Sequence, residues 1–78
     1  MTDPNETAAL KASVRGTVAT AEALDGLRAR VEALEPSEEI PPDLLDELVR
    51  VSAAHAVASA ALRGLVGTMV TRRGAGTA

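Results

Sequence analysis

One break divides this chain, and most of what it can fold into follows from that break. The segment Pro36-Ser37-Glu38-Glu39-Ile40-Pro41-Pro42 cannot continue a helix, because Pro36 disfavours helical geometry at Glu35 and the proline pair removes two backbone donors. On either side of it apolar residues recur at helical spacing. Before it, Leu10, Val14, Ala21, Leu24, Leu27, Val31 and Leu34 hold a seven-residue rhythm. After it, Leu44, Leu48, Val51, His55, Ala58, Leu62, Leu65 and Met69 alternate spacings of four and three without a miss. Two helices with one short connection make an antiparallel hairpin, so the fold class predicted is all-α.

Local signals set the expected boundaries. Residues 1–3 form a tail ending in a helix start, Asp3-Pro4-Asn5-Glu6, with Asp3 as N-cap, Pro4 at the first helical position and Glu6 placed to reach back to the cap. The first helix is then expected over 4–35 and the acidic, proline-rich turn over 36–41. The second helix should run over 42–73, because Arg72 and Arg73 suit a helix C-terminus and Gly74 suits its cap, leaving 74–78 as a disordered tail. Gly16 and Gly26 each weaken the first helix by roughly 1 kcal/mol relative to Ala and mark places where it can kink. Folding at the turn brings Leu34 to Leu44, Leu27 to Val51, Thr20 beside Ala58 and Leu10 near Thr68 and Met69.

Composition bears on whether such a hairpin stands alone. The chain has 78 residues and no Phe, Trp or Tyr, so its core rests on Leu, Val, Ala and Met, which give a chain this short little burial to offset its conformational entropy. The second helix also carries a second apolar stripe, Leu45, Val49, Ala56, Val66 and Val70, and residues 53–62 are nearly free of polar side chains. A helix apolar on most sides is normally buried on most sides. Self-association follows as the expectation, in its simplest form a homodimer that builds a four-helix bundle with the second helix inside.

The row Ser52, Ala56, Ala60, Gly64, Thr68 puts a small residue at every fourth position of that helix and lets another backbone approach closely. Together with Val49, Val57 and Val66, the residues Ser52, Ala56, Ala60 and Gly64 are the expected oligomer interface.

Chemistry-bearing residues are sparse. His55, the one histidine, occupies a seam position and is expected to be a partly buried polar residue that fixes register. Ser52 and Ser59 share its face, but no carboxylate falls at either spacing to orient the ring, so a Ser-His-Asp arrangement is unsupported. Phosphotransfer helices carry a Lys and a Gly just after the histidine, whereas Ala56-Val57-Ala58-Ser59 follows here. With no cysteine and one histidine, neither a thiolate metal site nor a helical zinc signature exists. Glu35, Glu38, Glu39, Asp43, Asp46 and Glu47 form an acidic window whose helical members serve the N-terminal dipole, and proline stands where a calcium loop needs glycine. No cofactor or metal is predicted.

At the opposite end the hairpin collects Lys11, Arg15, Arg63, Arg72 and Arg73, offset by Asp3 and Glu6. Five cations without aromatic stacking are a weak nucleic-acid signal, and the formal net charge of −3 adds no general attraction. The polarised molecule fits guided assembly better, since an antiparallel dimer sets each acidic pole beside its partner's basic pole. Val51 to Val70 has the length of a membrane span but contains His55 and Arg63, and a mid-membrane Arg costs roughly 2.5–3.5 kcal/mol. The first residues have neither a basic n-region nor an apolar h-region, so a cytoplasmic location is expected.

The sequence therefore reads as a small non-enzymatic interaction protein: a self-associating hairpin serving as an accessory, structural or assembly subunit, with a larger protein as a further partner. The alternative is a regulator or inhibitor that masks another macromolecule in the manner of an antitoxin, or a nucleic-acid accessory using the basic end.

Overall fold

The computed structural model describes residues 3–76, with side chains through residue 74. Two helices, α1 (Pro4–Glu32) and α2 (Pro42–Gly76), run antiparallel in a rod of 61 × 20 × 16 Å. No strand occurs among the described residues.

The start of α1 follows its sequence signal. Asp3 is extended (φ −65°, ψ 132°), and its carboxylate Oδ1 accepts the Asn5 N–H at 2.9 Å while its carbonyl accepts the N–H groups of Glu6 and Thr7. Glu6 does not close the box. Its side chain turns to α2 instead and ion-pairs with Arg72, joining the two open ends of the hairpin.

The end of α1 comes earlier than residue 35. Continuing the helix to Pro36 would press its ring against the carbonyl of Glu32, four residues back, and Glu32 is where the helix stops. Ala33 N–H still reaches the Ala29 carbonyl, and Leu34 N–H bonds to Val31 three residues back, the tightening common at a last turn. The connection then closes on itself, because Glu38 N–H donates to the Glu35 carbonyl at 2.9 Å and the Glu38 carboxylate accepts Glu35 N–H at 3.1 Å. Pro41 starts α2 by accepting the N–H groups of Leu44 and Leu45, and Asp43 stands in the favourable first turn.

At its far end α2 passes the expected stop at Arg73 and continues through Gly74 to Gly76. Capping at Gly74 would need a left-handed backbone, and no residue among those described has a positive φ. The remainder of the expected tail, and the first two residues, lie outside the described residues.

The seam of α2 is the predicted one. Leu44 is buried at 1% exposure, and Leu48, Val51, His55, Ala58, Leu62, Leu65 and Met69 are half-buried. On α1 the seam is rotated from expectation: Leu10, Ser13, Thr17, Thr20, Leu24 and Leu27 turn inward, while Val14, Ala21 and Val31 are exposed. The hydroxyls tolerate this because each Thr bonds a carbonyl of its own helix, Thr17 to Ser13 at 2.9 Å and Thr20 to Gly16 and Thr17 at 3.2 and 3.0 Å.

Register also differs, by close to one helical turn. Thr17, not Thr20, meets Ala58, and Thr20 sits against His55. An α1 that ends at Glu32 lengthens the connection and slides α1 along α2. With a single layer of two helices, Leu27 and Leu44 are the only buried residues among those described.

Candidate functional site

Where the hairpin is narrowest in apolar content it is held by a polar cluster. Thr20 Oγ1 lies 2.7 Å from His55 Nδ1, Ser59 Oγ lies 3.4 Å from His55 Nε2, and Thr17 Oγ1 reaches the Ala58 carbonyl at 3.4 Å. Each ring nitrogen of His55 thus has a hydroxyl within hydrogen-bond distance, Thr20 at Nδ1 and Ser59 at Nε2. A hydroxyl stands where a catalytic carboxylate would orient the ring. Thr17, Thr20, His55 and Ser59 are all mid-helix, where backbone N–H groups are committed to the ladder and none can stabilise an oxyanion. The arrangement surrounds His55 with hydroxyls and joins α1 to α2 at Thr20–His55 and Thr17–Ala58.

Sequence reasoning placed His55 in the seam but missed Thr17 and Thr20 as its surroundings. The signal was present: Ser13, Thr17 and Thr20 continue the four-three spacing from Leu10 to Leu24, once hydroxyls are counted as seam residues.

The apolar surplus lies outside the seam. Val14, Val18, Leu45, Val49, Val66 and Val70 are exposed by 40–71%. In two right-handed helices running in opposite directions, rotation in the same sense about each axis leads to the same side of the pair. Val14 and Val18 follow the α1 seam in the sense in which Leu45, Val49, Ser52, Ala56, Val66 and Val70 follow the α2 seam, so they share one face. The opposite face carries a shallow, open depression of about 380 Å³ lined by Ala23, Gly26, Leu27, Arg30, Glu47 and Val51. Its two charged residues do not converge on a common point of chemistry, since Glu47 is taken up by Arg50.

Every residue of the expected oligomer interface is exposed in the hairpin, but the set divides between two surfaces. Val49, Ser52, Ala56 and Val66 belong to the valine face; Val57, Ala60 and Gly64 lie on the side of α2 turned away from α1. The reason is that steps of four residues advance about 400°, so the small-residue row winds around α2. It takes no part in α1–α2 packing, and a Cβ added at Gly64 meets nothing within 4 Å.

Of the basic end, Lys11, Arg15, Arg63 and Arg73 are exposed, and Arg72 is tied to Glu6. Elsewhere on the exposed surface Arg28 bridges Asp25 at 2.8 Å and Glu32 at 2.9 Å. Its guanidinium pKa is raised, first by hydrogen bonding and charge attraction to Asp25 and then by Glu32. Among the described residues no group of three His, Asp or Glu side chains is disposed to hold a metal ion. Within α2, Pro42–Gly74 is long enough to cross a membrane and contains an 18-residue window apolar enough to do so, by length and composition alone, with a mean hydropathy of 1.3 in that window. No protein-family model matches this chain, nor does any curated protein or solved structure.

Proposed function

We propose that this protein is a non-enzymatic interaction module: a helical hairpin that self-associates and serves as an accessory, structural or assembly subunit. The observation that carries the reading is the valine face. An isolated hairpin that leaves Val49 at 71% exposure and Val70 at 65%, with both helices contributing to one apolar surface, has a face that gains from being covered. Dimerisation into a four-helix bundle is the simplest way to cover it. A cytoplasmic location accompanies this reading, because Arg63 and His55 interrupt the apolar stretch of α2.

The nucleic-acid alternative draws less support, since the Arg72 charge at the basic end is already neutralised by Glu6. Light scattering coupled to gel filtration tests the main reading. The expected result is a helical species of at least twice the 8.0 kDa chain mass at micromolar concentration, and a fully helical monomer would overturn it. Binding to a mixed-sequence duplex that falls steeply with added salt would favour the nucleic-acid alternative.

A further inference from the structure

The outer stripe of α2 is a four-three repeat with a size pattern: Leu45 and Val49 at one end, Ser52, Ala56 and Ser59 in the middle, and Arg63, Val66 and Val70 towards the other. Set against an antiparallel copy of itself, it places Leu45 beside the partner's Val70, Val49 beside the partner's Val66 and Arg63 beside the partner's Ser52, a small residue. The crossing then falls between Ala56 and Ser59, where small side chains let the backbones approach. On α1, an axis through Val18 brings Lys11 level with the partner's Asp25; both residues are exposed, and Asp25 bridges Arg28 of its own helix through one carboxylate oxygen, Oδ1. The hydrogen bond from Thr17 to the Ala58 carbonyl shows that these two points, Val18 on α1 and the Ala56–Ser59 stretch on α2, stand at one height in the hairpin. A single axis therefore satisfies both helices, although apolar size sets the match on α2 and charge sets it on α1.

Charge also decides the direction. A two-fold axis along the rod keeps heights unchanged and sets Lys11 level with the partner's Arg63, with the acidic turns side by side. The transverse axis sets each acidic turn beside the partner's basic end.

We propose that two copies of this chain pack valine face to valine face about a two-fold axis perpendicular to the helices, with Lys11 paired to the partner's Asp25. This rests on the self-association reading and specifies its geometry. Sedimentation equilibrium on Lys11→Asp, Asp25→Lys and the combined variant tests it, with helicity followed by circular dichroism. Each single reversal creates two like-charge pairs per dimer and is expected to weaken dimerisation roughly tenfold, and the combination to restore it.

A second measurement uses the absence of native cysteine. Val49→Cys with Val66→Cys cannot bridge within one straight helix, so oxidation is expected to give a covalent dimer, whereas Val57→Cys alone gives none. A wild-type monomer overturns the self-association reading and this geometry together. A wild-type dimer indifferent to the charge reversals, or cross-linked through Val57→Cys instead, overturns the geometry alone.

Discussion

At the scale of single residues, the hairpin depends on few fully buried side chains. Leu44 sits at 1% exposure where α2 begins, directly after the connection, and truncating it removes the most deeply buried side chain among the described residues. Leu44→Ala is expected to cost about 3 kcal/mol, read from chemical denaturation, and a cost below about 1 kcal/mol would mean that the turn end is not anchored there. His55 is different, because its partners do not depend on it alone: Thr20 keeps the carbonyls of Gly16 and Thr17 when the ring is removed. His55→Leu is expected to preserve helicity and assembly and to raise stability by up to about 1 kcal/mol, apolar burial outweighing one hydrogen bond. Thermal melting checks this, and a marked fall in Tm would show that the polar cluster is net stabilising. The position of His55 in the seam was readable from spacing. Its hydrogen bonds were not, since they join residues 35 apart in sequence.

At the scale of elements, each helix start and the break between them follow from short-range sterics and capping. Gly16 and Gly26 mark places where α1 can kink, and the helix is continuous from Pro4 to Glu32. A Cβ built at Gly16 or Gly26 meets nothing within 4 Å, so neither glycine is required by close packing in the hairpin. Gly26→Ala is accordingly expected to stabilise the fold by about 0.5–1 kcal/mol through helix propensity, measured as a rise in denaturation midpoint at unchanged slope. A loss instead would place another surface against Gly26. The Arg28 pairs with Asp25 and Glu32 are exposed, so they add little to the stability of the helix.

For the whole molecule, the question is which surface of α2 meets a partner. The antiparallel valine-face dimer puts Ala56 at the crossing and Ala60 on the side facing away from α1. Ala56→Leu is expected to cost roughly 1–3 kcal/mol per site through overpacking, twice in a symmetric dimer, whereas Ala60→Leu leaves assembly unchanged. Concentration-dependent sedimentation of the two variants separates them. If Ala60→Leu is the disruptive change, the small-residue row on the far side of α2 is the contact and the valine face is not.

The two helices, the break at Pro36, the N-cap at Asp3 and the seam of α2 were all legible in the chain, because each is governed by neighbours within one or two turns. What waited on tertiary structure was the choice between near-equals. On α1, Leu10, Leu24 and Leu27 are compatible with a seam through Val14 and Ala21 or with one through Ser13, Thr17 and Thr20, and only contact with His55 and Ala58 on α2 selects the second. That selection turns Val14 and Val18 outward to join the valines of α2 on one face. The partner of Glu6 changed for the same reason: a local cap competes with a cation on the other helix, and Arg72 comes within reach once the open ends of the hairpin meet.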